Sequence, residues 1–367
     1  MLYHLLSGLG GPANVFRYTT FRTACAMVTA LTLAYVAYPW FIEWMRRKKM
    51  EQVIRTDGPQ AHVENKVGTP TMGGLVLHGA TLAATLLWAR LDEPVVWMTL
   101  VVGCGYAAIG WYDDWKKVIE RSPDGLAGRW KLVWQFVIGA AVLGAAYELG
   151  WMDARLHVPF YKHPVIDFAE LWTGAPDWMG WIYVAFGVFV MVGASNAVNL
   201  TDGLDGLAIG STITTAGTFA ILAYLAGHVE FSSYLNIPHV DGAGELAVYA
   251  LALIGAGLGF LWYNCYPAQV FMGDVGSLGI GGALATLAVI TKHEILLALV
   301  GGIFVLEAFS VMIQVGSYKL RKKRVFLMAP IHHHYEKQGW SEPKIIVRFW
   351  IISALLALVA LSTLKLR

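Results

Sequence analysis

The chain has 367 residues, of which 57% are hydrophobic and 14% charged, with a mean hydropathy of +0.54 and a formal net charge of +2. Soluble domains carry about 25% charged residues, so the composition excludes an ordinary soluble fold and reads as an integral membrane protein. The near-neutral charge gives no footprint for nucleic acid.

The N-terminus lacks the basic start and small-residue cleavage site of a secretory signal, so the first apolar run is expected to be retained. Crossing a bilayer takes about 20 apolar residues. Stretches of that kind lie near 23–42, 71–90, 95–112, 131–149, 179–199, 207–227, 246–264, 275–291, 295–316 and 345–364. The expectation is an all-α, polytopic protein of about ten spans. It forms one membrane-embedded domain over 1–367, because no connection is long enough for a soluble domain. The eighth stretch is short and glycine-rich. The 39 glycines suit close helix packing in lipid. Cys25, Cys104 and Cys265 lie in or beside apolar stretches and read as small buried residues, not as a disulfide framework. Trp172, Trp178 and Trp181 resemble interfacial anchors. The outer connections 150–178 and 228–245 carry no chemical pattern.

Polar motifs recur at the span ends. Lys66 precedes GTPTMGG and can meet a phosphate or serve as a basic anchor. Asp113 and Asp114 follow the third span in WYDDWKK. Neighbours on a helix point about 100° apart, so the two carboxylates do different jobs, unless they are only a solvated helix end beside Lys116 and Lys117. In NLTDGLDGL, Asn199, Asp202 and Asp205 recur every three residues and share a face if helical. A helix cap accounts for one of them but not for all. Asp274 lies between glycines in FMGDVGSLG, where it could ligate a metal or cap a helix. His332, His333 and His334 in PIHHHYEKQ can bind metal or donate to phosphate oxygens. Glu307 and His78 fall inside spans. They could line a transport path, but a buried interhelical hydrogen bond explains them better, since neither has a partner series at helical spacing.

Basic residues fix the orientation. The connections 43–70, 113–130, 200–206, 265–274 and 317–344, with Lys131, carry 18 Lys or Arg against eight on the other side. These connections are therefore expected to be cytoplasmic, with both termini periplasmic. They also hold the polar motifs, which hydropathy did not require. The site is expected to be built from them.

Together, GTPTMGG, WYDDWKK, NLTDGLDGL, NCYPAQVFMGDVGSLG and PIHHHYEKQGWSEPKI resemble the signatures of the polyprenyl-phosphate N-acetylhexosamine-1-phosphate transferases, over roughly residues 43–364. The PIHHHYE segment is similar to that of members taking UDP-N-acetylmuramoyl-pentapeptide. Siblings that use UDP-N-acetylglucosamine carry a different pattern there. The resemblance implies a Mg-dependent enzyme of the bacterial inner membrane that transfers phospho-N-acetylmuramoyl-pentapeptide to undecaprenyl phosphate. The products would be lipid I and UMP, in the first membrane step of peptidoglycan synthesis. It also implies a homodimer. By motif, Asp274 would ligate Mg with Asp202, and Asp113 and Asp114 would act on the lipid phosphate. Asn199, Asp202, Asp205 and Asn264 would shape the nucleotide pocket. Lys66 and the histidines, with His333 catalytic, would hold phosphates or sugar, helped by Lys117, Arg121 and Arg129. The rivals are a sibling N-acetylglucosamine-1-phosphate transferase and a secondary transporter. The transporter predicts ionisable residues at mid-membrane and repeated halves, and neither is legible here.

Overall fold

The computed structural model describes residues 1–6, 8, 11–48, 50, 68–120, 125–171 and 176–365. Lys66, Arg121 and Trp172 lie outside the described residues. The helices are α1 (Leu2–Leu6), α2 (Thr19–Arg47), α3 (Gly74–Trp88), α4 (Pro94–Glu120), α5 (Gly128–Glu148), α6 (Gly180–Thr201), α7 (Leu207–Ala226), α8 (Val229–Leu235), α9 (Gly244–Asn264), α10 (Gly273–Ile290), α11 (Glu294–Val300), α12 (Gly302–Arg321), α13 (Ile331–Lys337) and α14 (Glu342–Ser362). Among the described residues, nine helices are long and apolar enough to cross a membrane. The second expected span is α3, apolar but only 15 residues long. The ninth expected span is broken at Gly301 into α11 and α12.

Helix α10 is the centre of the bundle. Every residue from Val275 to Ile290 is buried, so the helix has no polar face, as expected of a helix surrounded on all sides. Its glycines let neighbours approach by backbone: a Cβ on Gly74 of α3 would lie 2.3 Å from the Gly276 Cα. Helices α4, α6 and α3 pack around α10, and α9 packs on α2, α7 and α3. Helices α2, α5, α12 and α14 are the least enclosed and present apolar side chains outward, as a lipid-facing layer does. Cys104 and Cys265 are exposed and Cys25 half-buried, all three unpaired. The expectation of burial fails for the first two, because an apolar residue facing lipid needs no cover from protein.

A second, smaller apolar cluster joins Leu204 and Leu207 to Ile303, Ile331, Ile345, Ile346 and Phe349. It fastens the NLTDGLDGL segment to α13 and α14. Two polar staples tie the other end of the bundle. Arg22 of α2 grips Glu245 of α9 in a buried bidentate pair at 2.5 Å on both arms. Lys292 reaches Asp153 (Oδ1 at 2.7 Å), just before a two-stranded antiparallel ribbon, β1 (Arg155–Leu156) and β2 (Ile166–Asp167), with Arg155 opposite Asp167. In this outer segment Trp181 donates to Glu148 at 3.0 Å, while Trp178 is exposed.

Candidate active site

The site forms where the C-terminal part of α4 crosses the N-terminus of α10. The crossing is close because position 110 has no side chain: a Cβ there would lie 2.1 Å from the Asp274 carbonyl oxygen. Asp113, Asp114 and Asp274 each bring a carboxylate oxygen into one group whose atoms lie within 4.8 Å of one another. Asp113 is fully buried and Asp114 nearly so.

The two adjacent aspartates do face different partners. Asp113 Oδ2 lies 2.5 Å from Lys117 Nζ and 2.9 Å from Lys131 Nζ, while its Oδ1 accepts from the Leu126 amide at 2.6 Å. Asp114 Oδ2 instead accepts the Val275 amide at 3.1 Å, in the first turn of α10. That approach requires glycine at 273: its φ is +74°, and a Cβ there would lie 2.4 Å from Asp114 Oδ2. Asp274 accepts from Asn199 Nδ2 at 2.9 Å through Oδ1, and from Lys131 at 2.7 Å and Lys117 at 3.1 Å through Oδ2. Asn199 also donates to Ser277 Oγ at 2.8 Å. Lys117 thus touches all three carboxylates, the third at 3.5 Å from Asp114 Oδ1.

Three carboxylates meet two ammonium groups in the cluster. The donors are all oxygen, the set that hard divalent cations prefer. Removing such charge from water is costly unless it is paired, and the group could hold a metal ion.

The comparisons bear on this geometry. The profile of glycosyl transferase family 4 matches residues 96–292, which include the three aspartates. The chain is 55% identical to the phospho-N-acetylmuramoyl-pentapeptide-transferase of Pelobacter propionicus, and 54% identical to those of Geobacter sp. and Syntrophus aciditrophicus. Each alignment covers the whole of both chains. The chain belongs to the phospho-N-acetylmuramoyl-pentapeptide-transferase family. The family resemblance drawn from the motifs is thereby established, and with it the polytopic all-α architecture.

The remaining residues singled out in the sequence fall into two neighbouring groups. Asp202 ends α6, with its amide on the Asn199 carbonyl, and is half-buried; among the described residues it stands outside the three-carboxylate group. Asp205 Oδ2 accepts from the Ala268 amide at 3.0 Å, and its own amide donates to Glu342 at 2.9 Å. Asn264 accepts from the Gly206 amide and donates to the Val270 carbonyl. Asp205 and Asn264 therefore tie the loop after α6 to the loop after α9.

The histidines take three different roles in α13. His332 is fully buried, with Nδ1 3.1 Å from Glu307 Oε1 of α12. Its Nε2 lies against Gly203, where a Cβ would come within 2.3 Å. His333 Nδ1 meets Glu336 at 2.5 Å. His334 Nδ1 accepts the Leu327 amide at 3.1 Å. Glu307 Oε2 accepts the His332 amide at 3.4 Å, the interhelical hydrogen bond expected of it.

Lys131, Ser277 and Glu336 were missed as site residues. Lys131 entered the sequence analysis only as one of many basic flanks. Its position at the start of a span gave no sign that α5 delivers it to carboxylates on two other helices.

Proposed function

We propose that this chain transfers phospho-N-acetylmuramoyl-pentapeptide from its UDP conjugate to undecaprenyl phosphate, giving lipid I and UMP. The observation that carries the reading is the trio Asp113, Asp114 and Asp274, bridged by Lys117 and Lys131, in a chain aligned end to end with phospho-N-acetylmuramoyl-pentapeptide-transferases. The PIHHHYE segment supports the muramoyl donor over N-acetylglucosamine.

We infer Mg as the cofactor, held by Asp113, Asp114 and Asp274, with Asp202 serving the nucleotide side. Bound there, it supplies charge neutralisation to the phosphates brought together. The chain's own part is positioning. Lys117 and Lys131 offset repulsion between two anionic reactants, and Asn199 holds the Asp274 carboxylate in register. Asp205 and Asn264 shape the nucleotide pocket by fixing its two loops. His332, closed off by Glu307 and Gly203, fixes the loop beside it. His333, oriented by Glu336, and His334 meet the donor's phosphates or sugar, with Lys66, Arg121 and Arg129.

An oxygen of the acceptor phosphate attacks the donor's β-phosphorus, the bond to the bridging oxygen breaks, and UMP leaves with that oxygen. The second pKa of a phosphate monoester is near 6, so the acceptor needs little help to ionise. This supports direct displacement over an aspartyl-phosphate intermediate. UMP formed in a burst without acceptor would reverse that choice.

The excess of basic residues supports a site facing the cytoplasm, built from the connections 43–70, 113–130, 200–206, 265–274 and 317–344, with both termini periplasmic, in a bacterial inner membrane. The homodimer rests on the resemblance alone. The deciding experiment gives purified protein undecaprenyl phosphate, Mg and either UDP-N-acetylmuramoyl-pentapeptide or UDP-N-acetylglucosamine. UMP release with the first donor only, abolished by chelation, is expected. Release with the second alone would move the substrate to the sibling class, and none with either would reopen the transporter.

A further inference from the structure

The C-terminal end of α12 carries Lys319, Arg321, Lys322, Lys323 and Arg324 around Leu320. All are exposed, and Leu320 is 85% exposed. Some cations near the same end of the bundle pair with carboxylates: Lys117 and Lys131 with the three aspartates, Lys116 with Glu120, Arg47 with Glu43. Among the described residues no carboxylate lies within salt-bridge distance of any of these five.

The turn that presents them is fixed. Lys322 ends α12 in the left-handed region, with its amide on the Tyr318 carbonyl. Ser317 donates to the Lys323 carbonyl at 2.9 Å. Gln314 clamps the segment beyond it, donating to the Phe326 carbonyl and accepting the Val325 and Phe326 amides, each at 2.9 Å. Tyr318, Leu320, Val325 and Leu327 stand exposed between the cations. Lys322 Nζ sits over the Tyr318 ring, and aromatic and aliphatic side chains alternating with exposed cations at the end of a lipid-facing helix match the boundary between acyl chains and charged headgroups.

We propose that this segment is a docking surface for anionic phospholipid headgroups of the bilayer leaflet that it meets. Cations placed only to orient a membrane protein need no fixed geometry and no neighbouring exposed apolar side chains, and this segment has both. The segment runs directly into α13 through the bond from the Leu327 amide to His334, so a bound headgroup layer also steadies the approach to the histidines.

The test uses the full chain in proteoliposomes of phosphatidylcholine with spin-labelled phosphatidylglycerol or spin-labelled phosphatidylcholine at trace level. Electron paramagnetic resonance reads the motionally restricted fraction of each. The parent is expected to prefer the anionic label by about threefold at low salt, falling toward parity as ionic strength screens the charges. The variant Arg321→Gln/Lys322→Gln/Lys323→Gln/Arg324→Gln should lose most of that preference, while the control Arg46→Gln/Lys48→Gln on α2 should keep it. Equal loss in both would mean a diffuse effect of net charge, and full retention in the α12 variant would remove the site; either overturns the proposal. The charge-preserving variant Arg321→Lys/Arg324→Lys guards against misfolding, since it should behave as the parent. A raised KM for undecaprenyl phosphate in neutral detergent, with lipid preference intact, would assign the cluster to the substrate and overturn the proposal too. The spectra do not depend on turnover, so the outcome stands whatever the reaction proves to be.

Discussion

Asp274 is the residue on which the polar site converges, since it meets Asn199, Lys117 and Lys131 at once. Asp274→Ala should cut UMP release to below about a tenth of the parent, because a charge-bearing ligand is lost where charge develops. Lys131→Met should lower kcat by about 100-fold with a smaller change in KM, and stopped assays across substrate concentration separate the two. Both variants should stay folded, although each strips a partner from buried charges, so turnover is compared per folded protein. Glu307→Gln is expected to behave in the opposite way. The buried pair with His332 is weakened, at a cost of about 1–3 kcal/mol, and thermal unfolding should move more than turnover. A selective loss of catalysis at unchanged stability would make Glu307 a functional residue. Convergence was legible where a motif concentrates carboxylates. Asp113, Asp114 and Asp274 stood out because carboxylates beside hydrocarbon need a reason. Lys131 and Glu336 did not, because their meaning comes from partners on other helices or from one turn's rotamers, and neither leaves a trace in local spacing.

At the scale of elements, the bundle is assembled from helices whose polar staples sit near their ends. Arg22 and Glu245 lock α2 to α9, and the Arg90 amide also donates to Glu245. Removing one partner strands a buried charge, so Glu245→Ala should destabilise by about 3–5 kcal/mol, whereas the double change Arg22→Met/Glu245→Met should cost much less. Denaturation in detergent, followed by tryptophan fluorescence, reads both. At the ribbon, burial works against the charged form of Asp153, and Lys292 outweighs it, holding its carboxyl below the usual value of 3.8. A lowered carboxyl contributes stability above that value and loses it as pH falls through the lower folded value. The staple is therefore in place at neutral pH. Span positions were readable because apolar length is a local property. The break at Gly301 was not, because Gly301 and Gly302 sit in an unbroken apolar run, and tolerance of a glycine pair depends on neighbours. The eighth stretch looked weakest by its glycines, yet those glycines are why α10 can be wrapped on every side.

For the whole molecule, the thiols provide a test of how the surface is used. No role falls to Cys25, Cys104 or Cys265, which are unpaired, so replacing all three with Ala should leave turnover within about twofold, the usual reach of neutral surface changes. A loss of activity would show that one of them touches the reaction or a partner. The two apolar clusters divide the labour of holding the site. The carboxylates ride on α4 and α10 in the main core. The histidine segment rests on the separate cluster of Leu204, Ile303, Ile331, Ile345 and Phe349. The histidine segment can thus vary with a small apolar patch of its own, while the packing beneath the three carboxylates is inherited untouched. With that segment choosing the donor, as proposed above, new sugar preferences lie within short mutational paths.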